Sequence, residues 1–244
     1  MSTHTSPALR PLLLFLLLLT CLPVRADPRA KLLVVTENSS WLSTLDGQGN
    51  LAGPNTQQVK DILNRAGLKA DFQVLPWARA FSIATHRPNT LIYSIARTPS
   101  RESQFVWLGP LAHMQRVFYR LNREPTSAPQ SLDEVKSCCK VCVVNHDVQE
   151  EFLQTAGFAQ NRQYIATNSP LDCPRLLQSG AAQLLIADPE QLRSQLARLK
   201  LPNDQFQAAF TLPPGDELYL AANPQSDPQL IQAIIEAMPP QKAH

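Results

Sequence analysis

Two arginines in five residues, Arg97 and Arg101 of RTPSRESQFVWLGPL (Arg97 to Leu111), follow directly on a short apolar run, Leu91 to Ile95. An apolar run closed by Arg, Thr and Pro reads as a buried strand ending in an exposed turn, which puts the guanidinium groups at a strand's carboxyl end. Open α/β sheets bind ligands there, and a guanidinium fixed by its backbone grips a carboxylate through two parallel charge-assisted hydrogen bonds. Arg101 is the candidate anchor; the alternative is a surface pair with Glu102. Asp188 ends another apolar run, LLIAD, just before Pro189, so it either faces a cleft or caps the helix that follows. Trp77 starts a helix just after Pro76, where an indole supplies a flat wall and a cation–π partner or else packs into the core.

The cysteines form a second group with chemistry. Cys138, Cys139, Cys142 and Cys173 lie in the body of the chain, while Cys21 falls in the N-terminal segment. In an oxidising compartment four cysteines read as disulfides, in any of three full connectivities, with a bridge from Cys173 back to the Cys138 to Cys142 cluster expected. A metal site of Cys138, Cys139, Cys142 and His146 is disfavoured, because KVCVVN alternates like a strand and sends its side chains to opposite faces.

The elements that must position these groups begin after an export signal. Arg10 precedes the apolar block LLLFLLLLT, then come Pro23 and the small-residue site Val24-Arg25-Ala26, so cleavage after Ala26 and delivery to the periplasm are expected. The block is shorter than the roughly 20 residues of a spanning helix. The remaining chain of about 218 residues suits two lobes of about 100 residues each. A formal net charge of +2 with no basic stripe argues against a nucleic-acid partner.

Strands are expected at Lys31 to Thr36, Ala70 to Leu75 and Thr90 to Ile95, with helices over Asn55 to Ala66 and from Trp77 to about Thr85 between them. This alternation requires a parallel sheet. A strand at Arg116 to Leu121 and a loop with Pro125 and Pro129 lead to a second alternating series. It comprises the strand Val141 to Asn145, a helix from Asp147 to Ala156, a strand near Gln163 to Ala166, a helix from Pro174 to Gln178, the strand Gln183 to Ala187 and a helix from Pro189 to about Leu199. The strand Leu218 to Ala222 and a helix from Pro228 to Met238 return to the first lobe. The expected architecture is α/β and two-lobed, each lobe a mostly parallel sheet flanked by helices. One lobe comprises residues 27–112 plus 218–244, the other 113–217, and a ligand cleft lies between them.

Given that plan, the chain resembles the periplasmic solute-binding proteins of the polar amino-acid type that serve ABC transporters, within a subgroup marked by PWxRA and RTPxREnnFxWxGP. Here these read PWARA (Pro76 to Ala80) and RTPSRESQFVWLGP. The resemblance covers nearly the whole mature chain and extends to SLDEVKSCCKVCVVNHDVQEEFLQTAG and LLQSGAAQLLIADPEQL in the second lobe. It implies that Arg101 anchors a ligand carboxylate and Asp188 accepts a ligand ammonium, so that a zwitterion bridges the lobes. It also implies that Trp77 and Trp41 cover the ligand, that Glu37 reaches its side chain or amine, and that Arg79 lines the mouth of the cleft or pairs with Glu37. Ala96 stands where such proteins carry a hydroxyl, leaving Ser94 and Thr98 to replace it, and Arg97 adds a second positive charge that would admit a more acidic ligand.

Three functions compete. The first is a monomeric binding module that captures an amino acid or small carboxylate for a membrane permease, and the second is a sensory binder that reports to a partner protein. The third, an enzyme resembling cyclohexadienyl dehydratases on the same fold, would rest on Glu37 alone. No nucleophile elbow, Gly-rich phosphate loop or HExxH is present, so the chain reads as no enzyme and as needing no cofactor.

Overall fold

The computed structural model describes residues 31–39, 41–122 and 127–240. The expected signal over residues 1–26, Cys21 and Pro125 therefore lie outside the described residues. Among the described residues no helix is long and apolar enough to cross a membrane.

The first half runs β1 (Leu32–Thr36), a small hairpin of β2 (Thr44–Leu45) and β3 (Leu51–Ala52), α1 (Pro54–Arg65), β4 (Ala70–Val74), α2 (Trp77–His86) and β5 (Thr90–Ala96). A long strand, β6 (Val106–Leu121), carries the chain into the second half. There α3 (Leu132–Cys138), β7 (Val141–Val144), α4 (Val148–Thr155), β8 (Tyr164–Thr167), α5 (Asp172–Gln178), β9 (Leu184–Ala187) and α6 (Pro189–Leu199) follow in turn. A second long strand, β10 (Phe206–Ala222), returns the chain, and α7 (Pro228–Ala237) closes it.

Eight strands form one sheet in the order β4-β1-β5-β10-β6-β9-β7-β8. Pairing is parallel on either side, β1 with β4 and β5 and β7 with β8 and β9, as the alternating series requires. β6 and β10 pair antiparallel through the middle and join the two halves. All five residues of β1 and all four of β7 and of β9 are buried, as expected where helices cover both faces of a sheet. On one face of the first half, Val34, Leu91 and Leu220 pack with Val59, Ile62 and Ile234 of α1 and α7; on the other, Val35, Ile92 and Ile95 meet Trp77, Ala80 and Ala84 of α2.

The sequence reading places only the second part of each long strand, at Arg116 to Leu121 and Leu218 to Ala222. The rest was hidden because Gly109-Pro110 and Pro213-Pro214-Gly215 break the alternation that marks a strand. Here the structure places irregular pairing: the register passes from Leu212↔Arg116 to Asp216↔Met114. At Gly215 a Cβ would stand 2.3 Å from the Met114 carbonyl oxygen, so only glycine lets the two strands come this close. The helix α3 was also missed, although SLDE carries its start signal. Ser131 Oγ accepts from the Glu134 N–H at 3.2 Å, and a Glu134 carboxylate oxygen accepts from the Gln130 N–H at 2.8 Å.

Candidate functional site

The strand ends of the two halves meet around a cavity of about 60 Å³. The first half supplies Glu37 just beyond β1, Trp77 at the start of α2, Ser94 and Ala96 of β5, and Arg101 from the turn after it. The second half supplies Asp147 and Val148 at the start of α4 and a wall from β9 and α6. The sequence reading therefore brings Arg101, Trp77, Glu37, Ser94 and Trp41 to one place.

Arg101 is only 4% exposed and its guanidinium has three kinds of partner: a carboxylate, backbone carbonyls and aromatic rings. Nε meets Glu151 Oε2 at 3.2 Å, Nη2 donates to the His146 carbonyl at 3.2 Å, and Nη1 reaches the Ala96 carbonyl at 3.5 Å. The rings of Trp77 and Phe81 lie 5.7 and 5.3 Å from its central carbon. Burial pulls its pKa down, while Glu151, Asp147 and Asp216 hold the charged form. Trp77 Nε1 donates to the same His146 carbonyl at 2.6 Å, and Ser100 Oγ donates to the other Glu151 oxygen. Glu151 and two backbone carbonyls, of His146 and Ala96, thus occupy the fork of the arginine.

The surface pair expected as the alternative exists, but with the other arginine. Arg97 Nε and Nη2 donate to the Glu102 carboxylate at 2.8 and 2.5 Å, and the guanidinium lies over Trp107 and Tyr219 at 5.5 and 5.6 Å. Arg97 is exposed and does not line the cavity, so it adds no second charge to the ligand position.

Two acids face the cavity. Glu37 is pushed up to about 8, first by loss of hydration and then by the neighbouring Asp147 carboxylate. Asp147 is pushed up to about 7 by burial, although it caps α4 by accepting from the Gln149 and Glu150 N–H groups and feels Arg101. Both hold protons in the folded protein that the unfolded chain has released. Stability of the solute-free protein should therefore be highest below pH of about 4 as far as these groups are concerned, and fall as pH rises to about 8. A melting series across that range checks the sign, and Glu37→Gln should flatten its upper part.

Asp188, expected to take a ligand ammonium, does not line the cavity. One carboxylate oxygen accepts from the Glu190 N–H at 2.9 Å, capping α6, and the other accepts from the Gln115 N–H of β6 at 2.8 Å. Asp188 and Asp147 look alike in sequence, each an aspartate between a buried strand and a helix. Asp147 was read as a plain cap, although the strand-end position applied to Asp188 was the signal that could have marked it. Thr98 also stands apart: its hydroxyl pairs with Ser100 Oγ at 3.0 Å. Arg79 is exposed on α2, lines no part of the cavity and does not pair with Glu37. Trp41 is half-buried against Leu42, Met114 and Val148 at the cavity edge. Ser94 adopts a left-handed φ of 60° within β5 and accepts from Asn55 Nδ2 at 2.9 Å.

The cysteines pair as Cys142 with Cys173 and Cys138 with Cys139, with S–S distances of 2.06 and 2.00 Å. The first pair ties β7 to α5, and Cys173 forms part of the cavity wall. Cys142 is thus drawn away from the other two cysteines that an alternative metal site would share.

No family model matches the chain, and a search of the curated proteins finds no match. Solved structures do match. A histidine kinase sensor domain with similarity to periplasmic binding proteins aligns with a TM-score of 0.75 at 16% identity, over 86% of this chain and 89% of that one. Holo ArgBP from T. maritima aligns at 0.72 and 15%, over 86% and 89% of the two chains. The arginine-, lysine-, histidine-binding protein ArtJ from Geobacillus stearothermophilus aligns at 0.72 and 16%, over 85% and 87%. The chain has the two-lobed fold of periplasmic binding proteins.

Proposed function

We propose that this protein is a periplasmic solute-binding protein, acting as a monomer, that captures an amino acid or similar small carboxylate between two lobes. The lobes are residues 27–112 plus 218–244 and residues 113–217, after removal of residues 1–26. The division falls at His113↔Glu217, paired within β6 and β10, so a small change of twist in these strands opens or closes the cleft.

The observation that carries the reading is the charge layout of the cavity. It is walled from both halves, with the buried guanidinium of Arg101 on one side and the carboxyl groups of Glu37 and Asp147 facing the same space. A ligand ammonium placed between Glu37 and Asp147 restores both to their charged forms. A ligand carboxylate meets Arg101 in place of Glu151, and Trp77 covers the apolar part between them. Glu37 and Asp147, rather than Asp188, are the amine partners in this scheme. Affinity for an amine ligand then rises with pH up to about 8, because binding expels the protons.

Delivery to an ABC-type membrane permease is the use we favour, in keeping with the amino-acid binders among the structural neighbours. A sensory use has its own support in the likeness to a histidine kinase sensor domain. A thermal-shift screen across amino acids and small carboxylates tests the binding reading. A solute at 100 times its dissociation constant adds about 2.7 kcal/mol of apparent stability. No shift with any amino acid would overturn it.

A further inference from the structure

The wall that α6 lends to the cavity contains two glutamines, Gln191 and Gln195, one helical turn apart and so on the same face. Gln195 is 3% exposed and lines the cavity; among the described residues Thr90 Oγ1 is the fully enclosed side-chain atom without a hydrogen-bond partner, so the Gln195 amide is not sealed away from the cavity space. Buried amides are nearly always paired within the protein, whereas one open to a cavity can pair with what enters it. The other buried glutamine of the wall, Gln149, shows the common case: its oxygen accepts from Arg116 Nε at 2.9 Å. The lining from the second half also includes Pro170, Cys173, Leu185 and Ile186, whose side chains offer no strong donor or acceptor. The cavity lining therefore combines charged groups, Arg101, Glu37 and Asp147, with apolar side chains and the neutral amides of α6 from the second half.

We propose that Gln195, assisted by Gln191, forms a subsite for the uncharged, hydrogen-bonding end of the solute, of primary amide or ureido class. This inference rests on the binding function proposed above. A carboxamide pairs with such an end in both directions, its oxygen accepting and its NH2 donating, whereas an ordinary aliphatic tail leaves both unpaired. The subsite so defined discriminates by the far end of the side chain, and the charged groups discriminate by the amino-acid head.

Gln195→Leu tests the inference in two ways. In the protein without solute, the leucine replaces an amide that faces the cavity, so the melting temperature should hold or rise; a clear fall would mean that the amide has a structural partner and would overturn the subsite. In titrations with L-glutamine, L-citrulline and L-norleucine, the wild type should bind one of the first two at least tenfold tighter than L-norleucine. Gln195→Leu should erase or reverse that preference. An unchanged preference in the variant overturns the subsite, as does a wild type that binds other amino acids but neither L-glutamine nor L-citrulline. A wild type that binds no amino acid at all overturns the binding function instead, and the melting comparison still decides the state of Gln195. Gln195→Met, unbranched and adaptable, carries the same two readouts if the leucine overpacks the wall.

Discussion

Arg101→Ala is expected to weaken solute binding by roughly 3 to 5 kcal/mol, about two to nearly four decades in affinity. The substitution removes the group proposed to meet the ligand carboxylate and also strands Glu151, whose Oε2 lies 3.2 Å from Arg101 Nε. It further removes the contact to the His146 carbonyl and the cation sandwiched near Trp77 and Phe81. Arg101→Lys should recover little, because a point charge cannot fill the planar fork that reaches Glu151, His146 and Ala96 together. Titration calorimetry on both variants measures this, and wild-type affinity in Arg101→Ala would refute the assignment. Glu151→Gln supplies the converse: freeing the guanidinium from its internal competitor should tighten binding of a carboxylate-bearing solute.

Removing the bridge between Cys142 and Cys173 is the second large effect. The two residues are 31 apart in sequence, and closing a loop of that size restrains the unfolded chain by roughly 3 to 4 kcal/mol in the loop-entropy model. For a chain of this length the Cys142→Ala, Cys173→Ala double variant should melt roughly 6 to 16 °C lower. Both cysteines are buried and Cys173 lines the cavity, so solute affinity should drop as well. Thiol titration of the oxidised, unfolded wild type should find Cys142 and Cys173 blocked, and finding them free would contradict the pairing.

Much of the fold was legible because its logic is local. The runs Lys31 to Thr36, Val141 to Asn145 and Gln183 to Ala187 read as strands and form them within a residue at either end, and Asp147 and Gly157 bracket α4 in the sequence as they do in the structure. The long strands were only half legible, since prolines and glycines mark a bulge as readily as a strand's end, and only pairing distinguishes the two. The cavity lining was legible where a residue follows a strand's carboxyl end, as for Arg101, and where the resemblance pointed to it, as for Glu37. It was not legible where packing decides. Arg97 and Arg101 are both within reach of Glu102, and burial of the turn sends one outward and the other inward. Asp147 and Asp188 share one local pattern, and only the docking of the second half against the end of β1 puts Asp147 beside Glu37. The cavity-facing amide of Gln195 has no sequence signature, because a glutamine on a helix reads as exposed until the cavity is seen.

The central claim is that a zwitterionic solute lies between the lobes with its carboxylate on Arg101 and its ammonium between Glu37 and Asp147. A crystal structure of the protein with the amino acid that gives the largest thermal shift tests it most directly. The account predicts density in the cavity, Glu151 displaced from Arg101 by the ligand carboxylate, and the ammonium within hydrogen-bond distance of Glu37 and Asp147. Density for the solute elsewhere on the protein, with Arg101 still paired to Glu151 and the cavity unfilled, would contradict it.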